Sequence, residues 1–181
     1  MIPKLKVETG QLFAGSDKLS KGVLIKTYKE HTLRFSMSLP YTREEVWNHF
    51  LHPEHYKSWL YKAKLTAVIG GKLEMHYKTT GYIAKGTITR INPGQQIDHT
   101  WEDENVKGSV VTWKFKDDEE KCLLILEHAF PPSYNLAHLA AGWHLHLELL
   151  ASSFTESDLQ WSWENWEILC AGYEKDFKDE A

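Results

Sequence analysis

Apolar and polar positions alternate every second residue through most of the first 130 positions, then switch to helical spacing. Leu33, Phe35, Met37 and Leu39 fall on one face of a predicted strand, and Val23-Leu24-Ile25 reads as a shorter strand before it. The segment Pro40-Tyr41-Thr42-Arg43-Glu44-Glu45 then starts a helix. Thr42 is the expected N-cap, and Glu45 three residues on completes a capping box, so each side chain satisfies a backbone donor of the first turn. This helix carries Val46, Trp47 and Phe50 inward. Pro53 suits the first turn of a second short helix that ends near Trp59.

Strand periodicity returns after the Gly70-Gly71 turn, with Leu73, Met75 and Tyr77 alternating. Tyr82 to Ile91 alternates next and stops at the turn signal Asn92-Pro93-Gly94. Gln96–Glu102, Ser109–Phe115 and Lys121–Phe130 are three further predicted strands, with Asp117-Asp118-Glu119-Glu120 as a solvated loop between the last two. Past Pro131-Pro132, Asn135 to Phe154 reads as a long helix with Leu136, Ala140, Trp143, Leu147, Leu150 and Phe154 on one stripe. Trp161 to Phe177 is a second helix, its stripe made by Trp163, Trp166, Cys170, Tyr173 and Phe177. Residues 1 to about 20 are weakly patterned and read as an irregular arm.

Strands joined by short turns make an antiparallel sheet, and one face of such a sheet needs a cover. The Asn135–Phe154 helix supplies it. The expected fold is α+β: a curved antiparallel sheet wrapped around a long helix, with two short helices after the first long strand and an extra terminal helix packed on the domain. Residues 1–181 form a single domain, since the length suits one core and no linker divides the chain.

A formal net charge of -4 gives no overall field to attract nucleic acid or anionic lipid. No run approaches the roughly 18 apolar residues of a membrane helix, and no signal peptide is evident, so a cytoplasmic protein is expected. Cys122 and Cys170 lack metal-ligand or disulfide-framework spacing. No metal and no cofactor is expected. Eight Trp, eight Tyr and seven Phe stand out; such side chains either fill a core or line a pocket.

Six segments resemble, in order, the START-like (SRPBCC, birch-pollen-allergen-like) superfamily, and within it the bacterial group named after the activator of the heat-shock-protein-90 ATPase. They are LRFSMSLPYTREEVWNHFLHPEHYKSWL, GGKLEM, GTITRINPGQQIDHTW, SVVTWKF, LLILEHAF and AAGWHLHLELLASSF, spanning about Leu33 to Phe154. The resemblance implies a helix-grip fold and a cavity for a hydrophobic ligand. It implies little about chemistry, because members include lipid carriers, hormone receptors, polyketide cyclases and a co-chaperone domain.

Strand parity and the resemblance together nominate Trp59, Met75, Tyr77, His99, Trp101, Trp113 and His128 as cavity lining, with Leu139, Trp143, His146 and Leu150 from the long helix. The first functional expectation is a non-enzymatic binder of a small apolar or amphipathic, lipid-like or aromatic molecule. An alternative is an enzyme of the cyclase or hydratase type using His128, His99, His146 or Tyr77 as acid or base. A third is a protein-interaction module; the eukaryotic activator has a separate N-terminal domain for which this chain has no room. No GxSxG elbow, P-loop or dinucleotide fingerprint is present. Glu127 and His128 point to opposite faces of one strand and form no dyad. His144 and Glu148 read as an exposed helical pair, and His49, His52 and His55 as surface groups. The aromatic terminal helix packs on its own domain or closes a homodimer.

Overall fold

The computed structural model describes residues 18–60, 62–77, 82–102, 108–132, 136–155, 157 and 159–179, the side chains of residues 18, 77 and 179 excepted. Six strands follow one another as an antiparallel meander: β4 (Lys62–Leu65), β5 (Lys72–Tyr77), β6 (Tyr82–Asn92), β7 (Gln96–Trp101), β8 (Ser109–Asp118) and β9 (Lys121–Phe130). β3 (His31–Leu39) pairs antiparallel with β9, bringing Phe35 opposite Leu126 and Leu33 opposite His128. The other edge of β3 takes β1 (Lys18–Leu19) and β2 (Val23–Lys26) end to end, an edge strand interrupted between Leu19 and Val23. The sheet order is therefore β1-β3-β9-β8-β7-β6-β5-β4, with β2 also on β3. The last part of the expected irregular arm is thus paired; residues 1–17 lie outside the described residues.

The crossing from β3 to β4 spans the sheet from one side to the other. It uses α1 (Arg43–Leu51), a 3-10 turn at Pro53–His55, and α2 (Tyr56–Trp59). The capping box forms as the sequence predicts: the Glu45 amide donates to Thr42 Oγ1 at 3.3 Å, and the Thr42 amide to Glu45 Oε2 at 2.7 Å. Pro53 opens the 3-10 turn, where its missing N–H is not needed. Val46, Trp47 and Phe50 are buried, as expected.

α3 (Leu136–Ser152) covers the concave face and α4 (Trp163–Asp179) covers α3. The α+β helix-grip architecture is thereby present. α3 is apolar nearly all round rather than striped, because it lies between two layers: Ala137, Leu145 and Ala151 are as buried as Trp143 and Leu147. Strand ends also differ from the periodicity. β8 runs to Asp118 and β9 begins at Lys121, so the expected four-residue charged loop shrinks to Glu119-Glu120, with Glu119 at φ 58°. Asp117 is instead held 3.1 Å from Arg43. β4 has no counterpart in the sequence reading.

One glycine is fixed by a close approach. A β-carbon on Gly86 would lie 2.0 Å from the Thr100 carbonyl oxygen. Only glycine lets β6 pass that close to β7, just before the bulge between Ile88 and Arg90.

Candidate functional site

Strand parity sends Ile97, His99 and Trp101 of β7, Val111, Trp113 and Phe115 of β8, and Leu124, Leu126 and His128 of β9 into the core, as predicted. Trp143 of α3 meets them. Its ring centroid is 5.1 Å from Trp101, 5.7 Å from Trp113 and 5.9 Å from His128. These side chains occupy the space between sheet and helix where a cavity was expected. A broad central cavity is not what the aromatic count produced; at this point the aromatics are the core.

Two of the buried histidines, His99 and His128, are paired with indoles. Trp143 Nε1–H donates to His128 Nδ1 at 2.9 Å. Indole nitrogen only donates, so His128 must carry its proton on Nε2, 3.1 Å from Ser109 Oγ, which in turn donates to the Trp101 carbonyl at 2.9 Å. Trp113 Nε1–H likewise donates to His99 Nε2 at 3.3 Å, leaving the His99 proton on Nδ1 for the Thr100 carbonyl at 2.9 Å. The two imidazoles are opposite tautomers, both neutral, each with both nitrogens engaged. Burial lowers His99 to about 4 and His128 to about 3. Neither offers a free lone pair to take a proton from a substrate.

A smaller hollow survives to one side of this cluster, under α2. Phe50, Tyr56, Trp59, Leu60, Ala63, Leu65, Leu73, Met75, Ile88, Ile97, His99 and Trp113 line it. Its cavity volume is about 10 Å³, room for about one water. Ligand entry therefore needs the wall to move. That wall includes short pieces, the four residues of α2 and the four of β4, which have fewer backbone hydrogen bonds to break than the long strands behind them.

Of the nominated residues, Trp59, Met75, His99 and Trp113 line the hollow. Trp101, His128 and Trp143 form the packed cluster beside it. Leu150 is buried, and Leu139 is a partly buried neighbour of the same core. The Tyr77 side chain lies outside the described residues. His146 is separated from the rest: it lies 4.9 Å from Trp161, and its Nδ1–H donates to the Gly142 carbonyl at 2.7 Å. Burial lowers it to about 4. Phe50, Tyr56, Leu60, Ala63, Leu65, Leu73, Ile88 and Ile97 were not nominated. Phe50 was legible as inward-facing and the resemblance put Trp59 of α2 at the cavity, but no sequence signal placed β4 there.

Two histidine groups expected on the surface are partly enclosed. His144 Nδ1 accepts from the Tyr173 hydroxyl at 2.8 Å, and that hydroxyl accepts from the Gly22 amide at 2.8 Å. His144 Nε2 lies 3.3 Å from Glu148 Oε1. α4 is what covers them, so the pair joins α3, α4 and the β1–β2 break. His49 stacks on Phe154 with centroids 3.8 Å apart and lies tilted against His55 at 3.8 Å, and its Nε2 reaches Ser153 Oγ at 2.7 Å. Burial, with His55 and His52 adding, lowers His49 to about 4. Burial raises both thiols, Cys122 and Cys170, to about 11, so neither is a ready nucleophile. Among the described residues no three His, Cys, Asp or Glu converge as a metal site, and no helix is long and apolar enough to cross a membrane.

Comparison with solved structures finds the same architecture at low identity. A conserved protein of unknown function from Enterococcus faecalis superposes with a TM-score of 0.72 at 12% identity, over 88% of this chain and 91% of that one. A protein from Bordetella parapertussis gives 0.69 at 22%, over 92% and 94%. The Aha1 dimer from Colwellia psychrerythraea gives 0.59 at 12%, over 71% and 98%. Among curated proteins nothing matches. A family profile matches residues 40–155, from just before the capping box of α1 to the end of the segment after α3. The chain belongs to the family described as activator of Hsp90 ATPase homolog 1-like proteins.

Proposed function

We propose that this protein binds a small, predominantly apolar molecule in the hollow under α2 and does no chemistry on it. The hollow itself carries this reading: twelve lining residues, none of them charged, with the rings of Phe50, Tyr56, Trp59 and Trp113 among them and short elements forming part of its wall. Pockets for small molecules have this composition. A cyclase or hydratase would need an acid or base free to act, whereas His99 has both nitrogens committed and the Tyr56 hydroxyl donates to the Leu51 carbonyl at 3.2 Å. The ligand enters by displacing the Trp59 wall, so binding is coupled to a small opening. Self-association through the exposed Trp163 and Ile168 of α4 is an accompanying proposal, checked by light scattering.

Melting curves against a panel of lipids, aromatic hydrocarbons and polyketide-like molecules test the main reading. A ligand that prefers the folded state raises stability by about 2.7 kcal/mol at a hundredfold excess over its Kd. At least one apolar member should raise the melting temperature, and Ala63→Phe, which fills the hollow, should abolish the rise. A flat response to the whole panel, or an unchanged rise in Ala63→Phe, overturns the proposal.

A further inference from the structure

Four buried side-chain atoms among the described residues lack any hydrogen-bond partner, and one of them, Trp59 Nε1, belongs to a ring that lines the hollow. Trp59 is 2% exposed, so water does not serve its N–H from bulk. No lining side chain accepts from it, and the Tyr56 hydroxyl is turned to the Leu51 carbonyl instead. Phe50, with its centroid 5.7 Å away, has no acceptor, and Trp113, at 6.2 Å, only donates. His99 Nε2 is already taken by Trp113. A buried donor without a partner is a standing penalty, and native chains keep few of them. The Trp113 and Trp143 indoles of the same core each have a histidine acceptor. Trp59 has none, and of the two unpaired indoles, Trp59 and Trp161, it is the one that lines the hollow.

Resting on the proposed apolar-binding function, we propose that Trp59 is the specificity-determining residue of the hollow, and that its ligand is a neutral, flat, apolar molecule carrying one hydrogen-bond acceptor, such as a ketone oxygen, which takes the Trp59 N–H. The aromatic walls suit a flat body. The absence of any carboxylate among the lining residues disfavours a cation, whose charge would be desolvated without a counter-ion. A hydrocarbon would fill the hollow but leave the indole donor unpaired.

The test uses matched probes on one skeleton: 2-acetylnaphthalene, 2-ethylnaphthalene and 2-naphthylmethylammonium. They have similar size and differ in the acceptor and the charge. Binding to the full chain is followed by calorimetry, and the eight indole N–H signals are followed by nitrogen-15 NMR. The ketone should bind about fivefold or more tighter than the ethyl compound, the worth of about one buried hydrogen bond, and the ammonium should bind weakest. Trp59→Phe keeps a ring in the wall and removes the donor. It should bring the ketone-to-ethyl ratio to about one, and the ratio within the variant is the readout, whatever the change in ethyl affinity itself. Independently of any variant's folding, the ketone should move the Trp59 indole proton downfield and the ethyl compound should not. Equal affinities in the parent chain, or a ratio that survives Trp59→Phe in a folded variant, overturns the inference while leaving the apolar-binding function standing. Failure of all three probes and of the wider panel overturns both.

Discussion

Lowering the pH from 7 to 5 should remove a large part of this protein's stability, because three imidazoles are buried in neutral form. Burial holds His99 and His146 near 4 and His128 near 3, against about 6.5 in the unfolded chain. The unfolded state therefore binds more protons than the folded state between pH 6.5 and about 4. Stability is full above about pH 7 and falls as the pH drops toward the folded values. At pH 5 each histidine has withdrawn about 2 kcal/mol, together about 6 kcal/mol, which is comparable to the whole stability of many domains. His49 adds a smaller amount, being half-exposed. Glu127 enters only at lower pH: burial pulls its carboxyl upward, but hydrogen bonds from Lys114 and Arg34 outweigh that and hold it below its ordinary value. Urea titrations at pH 7, 6 and 5, followed by tryptophan fluorescence, give the free energies by linear extrapolation. His146→Leu removes one titrating ring without orphaning an indole N–H, so it should shrink the pH 7 to pH 5 difference by about 2 kcal/mol. Equal stability at pH 7 and pH 5, or a full slope in His146→Leu, would refute the buried-neutral assignment.

Three further changes probe the frame around the hollow. Gly86→Ala places a β-carbon against the Thr100 carbonyl that accepts from His99, and should cost at least about 2 kcal/mol in a chemical denaturation curve. Tyr173→Phe strips the hydroxyl from both the Gly22 amide and His144, and should cost about 1–3 kcal/mol, with hydrogen exchange rising at the Gly22 amide. Thr42→Ala removes the cap of α1 and should cost about 1 kcal/mol in the same curves, whereas Thr42→Ser should be close to neutral.

Much of the sheet was legible because its strands are one-sided. Alternation identified the inward residues of β3, β7, β8 and β9, and the Thr42–Glu45 pair located the start of α1. β4 was hidden because Lys62-Ala63-Lys64-Leu65 offers only two apolar positions, too few for a period of two to register. The all-round burial of α3 depends on α4 lying over it, a tertiary fact that stripe analysis of one helix cannot contain. The candidate site divided for a similar reason. Parity says which way Trp101, Trp113 and Trp143 point, but not whether their volumes exhaust the space between sheet and helix. They do at the centre, and the remaining hollow sits to one side under α2. The Trp143–His128 and Trp113–His99 bonds depend on strand register and helix placement, so the sequence nominated these histidines as polar groups for a ligand while the structure commits them to indoles. His146 shared an edge of the helical stripe with Trp143, yet the segment carrying Trp161 draws it to the other layer.

The most direct measurement is a chemical-shift map of the isotope-labelled protein during titration with 2-acetylnaphthalene. Binding under α2 predicts saturable shifts at the Trp59 indole and at the Leu73, Met75, Ile88 and Ile97 methyls, larger than any on α4. Shifts centred on α4, or none at the solubility limit of the probe, would contradict an apolar ligand site in this hollow.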